Sequence, residues 1–218
     1  MSEFIVYSIP GSPYGRAVLA TLKEKGAGFR YVAVAPGTFR QEPHIQRHRF
    51  GKVPVLEHDG FMLYETQAIL RYLDRILPTP PLTPAEPKAA ARMDQVMNIN
   101  DCYFFNGVAN TIGFQRVVGP KVLGMTPDEA ICAGALPRAH QVFDELGRLL
   151  GEQSYFTGDQ LSLADILVAA QIDFFVDLPE WAPLTVNNAN VVAWLERVTA
   201  RPSFQETTWD QTAAMATA

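Results

Sequence analysis

Five prolines fall within ten residues, PTPPLTPAEP at 78–87. Proline fixes φ and removes a backbone donor, so this run can be neither core helix nor central strand and reads as a linker. The residues before it alternate between strand-like and helix-like. Those after it are helix-like almost throughout. The chain therefore divides into a mixed region at 1–78, a linker at 79–87 and an all-helical region at 88–218.

In the first region FIVYS (4–8) predicts a buried strand and 13–25 a helix, with Lys23 and Lys25 in its last turn and Gly26 behind them. FRYVAVA (29–35) predicts a second strand, and TFRQEPHIQRHRF leaves room for a short irregular helix. VPVLEHDGFMLY (53–64) reads as two strands around Asp59-Gly60, a strong hairpin signal. Ile69, Leu70, Leu73, Ile76 and Leu77 then fall on one helical face. Strand–helix–strand followed by a hairpin and a helix makes a mixed four-stranded sheet with helices, giving an α+β chain with an all-α second half.

In the second region a helix is expected from Lys88 to about Val118, ending at Gly119-Pro120. Another starts at Thr126-Pro127-Asp128-Glu129, with Thr126 as cap, and stops at Gly151. Ser162 and Asp165 form a capping box ahead of ILVAAQIDFF, whose apolar character all round predicts a central helix. Val191–Thr199 is expected as a further helix, and the tail QTAAMATA as frayed.

A net charge of −5 argues against nucleic acid or an anionic membrane as partner. No stretch approaches the apolar length of a membrane span, and MSEFIVYS lacks the basic start and apolar run of a secretory signal. Cys102 and Cys132, distant from one another, read as reduced thiols. His44 and His48 have the i, i+4 spacing of a metal pair, but no HExxH glutamate or third ligand lies nearby, so no metal site is expected.

Four local patterns, in order, resemble the cytosolic glutathione transferase superfamily: SPYGR at 12–16, FGKVPVL at 50–56, YETQAILRYL at 64–73 and SLADI at 162–166. The resemblance spans nearly the whole length and lies with the serine-type, theta-, delta- and phi-like branches. It implies a thioredoxin-like N-terminal domain, a helical C-terminal domain bearing the hydrophobic substrate site, and a cytoplasmic homodimer active in detoxification. It implies conjugation of reduced glutathione, as co-substrate, to a small hydrophobic electrophile, with no tightly bound cofactor. A non-catalytic binding or scaffold protein, or a glutathione-dependent peroxidase, dehalogenase or isomerase, stands as the alternative.

The resemblance also implies site residues. Ser12 is the expected donor to the glutathione thiolate, with Tyr7 as the rival at the end of the first strand. Arg16 either orients the thiolate or is structural. Serine rather than cysteine at 12 disfavours thiol-transfer chemistry. Val53 before a cis Pro54 is expected to pair with the tripeptide backbone. Glu65 is expected to accept from the γ-glutamyl ammonium, Thr66 to bind the adjacent carboxylate at a helix start, and Lys52, with Arg40 as a further candidate, the second carboxylate. Tyr14, Tyr103 and Phe104 are candidates for the electrophile wall.

The energetics require a hydroxyl. A free thiol titrates near pH ~8.5, and lowering that by about two units needs roughly 2.7 kcal/mol. A helix dipole supplies about 0.3–1 kcal/mol. A hydrogen bond to a charged group adds about 1.5–3 kcal/mol. Helix end and hydroxyl together suffice; the helix end alone does not.

Overall fold

The structure is a computed structural model describing residues 3–216, and it forms two compact units. The first comprises the chain up to Thr83 together with the segment from Ala200 onward; the second is Pro84–Thr199. The final segment thus belongs with the first unit, whereas the sequence had grouped it with the helical region.

In the first unit β1 (Phe4–Ser8), β2 (Arg30–Ala33), β3 (Val55–His58) and β4 (Phe61–Tyr64) form a four-stranded sheet in the order β2-β1-β3-β4. β1 and β2 are parallel, and both β1–β3 and β3–β4 are antiparallel. The register aligns Tyr7 with Val55 and Val55 with Tyr64, while Ser8 faces Ala33. α1 (Pro13–Glu24) connects the parallel pair, as a βαβ unit requires. Its Ala17, Val18, Leu19, Ala20 and Leu22 are buried. α2 (His44–Arg47) is the short helix in the polar stretch, and α3 (Thr66–Ile76) follows the hairpin, burying Ile69, Leu70 and Leu73. Ile5, Tyr7, Val34 and Val55 form a hydrophobic cluster, with Phe39, Val53 and Tyr64 packed against it.

The second unit begins with α4 (Pro87–Ile99), capped by Glu86. It continues as a wide-turned helical segment, Asn100–Val118, and α5 (Gly119–Leu123). The expected single helix is therefore interrupted. Asn106 has an extended ψ of 100°, and Gly107 has φ 104°. The Asn106 amide donates to Asp101 O (2.8 Å), and Asn110 Oδ1 accepts from Gly107 N (2.8 Å), so side chains supply the partners that a regular helix would. Gly119-Pro120 opens α5 instead of ending a helix.

α6 (Glu129–Leu150) is capped by Asp128, not Thr126: its carboxylate accepts from Ala130 N (2.9 Å) and Ile131 N (3.2 Å). Every residue of α7 (Leu163–Ile172) is buried, as its all-round apolar pattern requires, and its capping box is formed. α8 (Trp181–Thr185) and α9 (Ala189–Thr199) complete this unit. In the last segment, α10 (Pro202–Gln205) precedes α11 (Trp209–Met215), so the tail is helical where fraying was expected; Thr217 and Ala218 lie outside the described residues.

Candidate functional site

The sheet register gathers the site. Since Tyr7 faces Val55 and Val55 faces Tyr64, the end of β1, the start of β3 and the end of β4 lie at one edge of the sheet. From that edge the chain runs on to Ser12, back to Val53-Pro54, and on to Glu65-Thr66. The parallel strand β2 ends there too, so the 34–43 loop shares the edge. Three of the four sequence patterns therefore meet in the first unit.

Ser12 is the N-cap of α1. Its backbone is extended (φ −71°, ψ 117°), and its hydroxyl oxygen accepts from Gly15 N at 3.0 Å. A serine that accepts through oxygen keeps its O–H to donate. Pro13 fills the first helical position, and no acidic residue stands in the first turn, so the positive helix end is not neutralised. Ser12 is half-buried, as is Tyr14.

Tyr7 is differently engaged. Its phenol donates to Glu57 Oε2 at 2.7 Å, and the Arg47 guanidinium lies 4.2 Å over its ring. Burial first, then the Glu57 carboxylate, hold its ionisation above the usual phenol range, against the opposing pull of Arg47 and Arg30. Arg16 donates to Phe204 O (3.2 Å) and stacks over the Phe204 ring at 5.0 Å, which ties α1 to the last segment.

The Val53-Pro54 bond is cis. His44, 2% exposed, meets Lys52 O through Nε2 at 2.7 Å and so holds the carbonyl that leads into Val53. Lys52 is exposed. Arg40 is exposed too, and its stem crosses Gly51: a β-carbon there would fall 2.8 Å from Arg40 Cγ and 2.9 Å from Phe39 O. Arg40 and Lys52 thus flank one short loop, a cationic pair suited to a carboxylate.

Glu65 is exposed and has φ 70°, one of two described non-glycine residues at positive φ. Its side chain makes no cap to α3, whose first turn carries the positive end of the helix dipole. Thr66 begins α3 and is 7% exposed. The ring of His48, also 2% exposed, stacks on Tyr64 at 4.3 Å, and its Nδ1 accepts from Phe50 N at 3.3 Å. Burial lowers the His48 ionisation; Glu65 pulls it up, and His44 and Lys52 push it down. Sequence reasoning weighed this histidine only as a metal ligand and missed its supporting role. The pairing of His48 with Phe50 in HRF, directly before GKVP, was the available signal.

The aromatic pair in the second unit separates. Tyr103 is 53% exposed, whereas Phe104 is fully buried between Phe143 and Phe175, with ring centroids 6.0 and 5.3 Å away. Phe104 is a core residue, a correction to its expected place in a substrate wall, because its side of the segment faces α6. Among the described residues no cluster of three or more metal-ligating side chains occurs, and no helix is long and apolar enough to cross a membrane.

Comparison with known proteins gives concordant results. Residues 2–75 match the family model for the glutathione S-transferase N-terminal domain, and 108–202 that for the C-terminal domain. Glutathione S-transferase F7 of Arabidopsis thaliana is 29% identical over 207 residues, 93% of this chain and 98% of that one. Glutathione S-transferase hmp2 of Hypomyces subiculosus is 36% identical over 169 residues, 74% and 79% of the two chains. The crystal structure of glutathione transferase F7 from Populus trichocarpa superposes with a TM-score of 0.84 at 26% identity, covering 98% of this chain and 99% of that one. With the sheet order, the capped opening of α1 and both family models in agreement, the chain belongs to the glutathione S-transferase family.

Proposed function

We propose that this chain conjugates reduced glutathione to small hydrophobic electrophiles, with Ser12 donating to the glutathione thiolate at the opening of α1. The observation that carries this reading is the state of Ser12. Its oxygen is already satisfied by Gly15 N–H, its proton is left to give, and no acid in the first turn opposes a sulfur anion. The engagement of Tyr7 with Glu57 further favours Ser12. Val53 pairs with the cysteinyl backbone. Glu65 takes the ammonium, Thr66 and the start of α3 take the adjacent carboxylate, and Lys52 with Arg40 takes the glycyl carboxylate. Thiolate stabilisation and proximity supply the rate.

The protein acts as a cytoplasmic homodimer, its first unit holding glutathione, with Tyr14, two residues from Ser12, as a candidate for the electrophile wall. Phe50, 65% exposed, and Phe61, 51% exposed, are apolar surface that a second subunit would cover.

The test is steady-state kinetics of Ser12→Ala and Tyr7→Phe on a panel of electrophiles, with glutathione affinity measured separately. Ser12→Ala is expected to lower kcat at neutral pH by about 10- to 100-fold, the worth of one hydrogen bond to a charged group, with little change in glutathione affinity. Loss in Tyr7→Phe with normal turnover in Ser12→Ala would transfer the role to Tyr7. Glutathione binding without turnover of any electrophile would make the protein a binding module.

A further inference from the structure

The last segment runs back along α1. At the C-terminal end of that helix the Glu24 carboxylate accepts two hydrogen bonds from Arg201, both 2.7 Å, and one from Ser203, while Lys23 meets Glu206 at 2.6 Å. Nearer its start, Arg16 holds Phe204. Beyond its start, at Gly11, lies Trp209, the first residue of α11, whose preceding cap Thr208 accepts from Gln211 N. The order 24, 16, 11 against 201, 204, 209 describes an antiparallel strap that delivers an indole to the loop before Ser12.

The contact at that loop is close. A β-carbon on Gly11 would fall 2.3–2.6 Å from three carbons of the Trp209 six-membered ring, and φ at Gly11 is 76°. Only glycine satisfies both conditions. The ring therefore rests on a backbone whose next residue is Ser12, and consecutive α-carbons are about 3.8 Å apart. Trp209 nevertheless keeps partial exposure. It lies past residue 202, where the match to the C-terminal family model stops.

We propose that Trp209 is a specificity-determining residue that offers an aromatic surface beside the thiolate and selects planar, electron-poor aryl electrophiles. This rests on the reading that Ser12 holds the glutathione sulfur. An electron-poor ring stacks on the electron-rich indole in an offset geometry, which brings its reactive carbon to the sulfur. With an activated aryl halide the step balances without an oxidant. The thiol proton has passed to solvent, sulfur forms a bond to the ring carbon bearing the halogen, and halide leaves with the carbon–halogen electron pair. An indole fixed by a strap anchored at three points is preorganised for this, since little freedom is lost when the ring docks.

The experiment compares wild type, Trp209→Ala and Trp209→Phe in the full chain, with a halodinitrobenzene and a small alkyl halide at saturating glutathione. Trp209→Ala is expected to raise KM for the aryl halide by about 3- to 10-fold, Trp209→Phe to retain most of the wild-type value, and KM for the alkyl halide and for glutathione to stay unchanged. A non-reactive nitroarene is expected to quench indole emission saturably in wild type, and that component to vanish in Trp209→Phe. Equal losses on both electrophiles, an unaltered aryl KM, quenching that persists in Trp209→Phe, or a wild type active on the alkyl halide alone would overturn the role of Trp209 and leave the glutathione reading standing. A wild type inactive on both would overturn the glutathione reading itself.

Discussion

Glu65 sits at φ 70°, a backbone region that costs a non-glycine residue about 1–3 kcal/mol, and such positions persist where function needs them. Glu65→Gly is therefore expected to raise the melting temperature slightly or leave it unchanged while weakening glutathione binding, as calorimetry of both quantities would read. Unchanged affinity would remove Glu65 from the ammonium site. His48 supplies a second residue-level test. With a folded-state pKa held below the ordinary value by burial, it is neutral at pH 7, and the unfolded chain takes up the proton first as pH falls. The stability it contributes is present above about pH 6.5 and is lost as pH drops through the folded value. NMR titration of the imidazole should give a midpoint below that of a free histidine, and His48→Asn should reduce the loss of stability on mild acidification. The places of Ser12 at the start of α1 and Thr66 at the start of α3 were legible because sequence marks such helix starts locally. The stacking of His48 on Tyr64 was not legible, because it joins two segments that only the sheet register brings together.

α7 was legible for the same local reason. Asp165 caps it by accepting from Ser162 N (2.8 Å) and Ser162 Oγ (2.6 Å), and it also takes Phe156 N (2.9 Å) and Trp194 Nε1 (2.8 Å). Asp165→Ala would leave four donors unmatched in a core position that is 0% exposed. A loss of about 3–5 kcal/mol is expected, read as a lower denaturant midpoint. A loss under about 1 kcal/mol, the scale of an ordinary surface cap, would mean the network contributes no more than capping. The interruption at Asn106-Gly107 was missed because apolar spacing continues on both sides of it. The dipeptide itself is a turn signal, and Asn110 completes the turn only by a side-chain contact. The choice of Asp128 over Thr126 as cap turned on reach: a carboxylate two residues later serves two N–H groups at once.

Two charge pairs, Lys25–Asp74 and Glu24–Arg201, join distant parts of the chain within the first unit. Lys25, its side chain wholly buried, meets Asp74 and the Pro80 carbonyl, and Asp74 also accepts from Leu82 N (2.9 Å), so the pair anchors the start of the proline-rich run. Burial alone would raise the Asp74 carboxyl, but Lys25, Thr83 and Leu82 outweigh it and leave it below the usual range. The Glu24 carboxyl is likewise raised by burial and more strongly lowered by Arg201 and Ser203. Both groups therefore contribute stability that is present above the unfolded carboxylate values near pH ~4 and is lost as pH falls through their lower folded values. Asp74→Asn should cost about 3–5 kcal/mol at pH 7, because it strands a buried ammonium. The gap to wild type should narrow in acid, as urea midpoints across pH would record. The division into a sheet-bearing half and a helical half could be read from the prolines and from strand periodicity. The return of residues 200–215 to α1 could not, since a short amphipathic segment does not encode which surface receives it and the Glu24–Arg201 pairing spans 177 residues.

The central claim is that the opening of α1, with the Ser12 hydroxyl, stabilises a sulfur anion. Ultraviolet titration of the thiol of bound glutathione in wild type and Ser12→Ala measures this directly. The account predicts a bound thiol that ionises about two pH units below free glutathione, with most of that shift lost in Ser12→Ala. A bound thiol that titrates as it does in free solution, or a full shift that survives in Ser12→Ala, would contradict it.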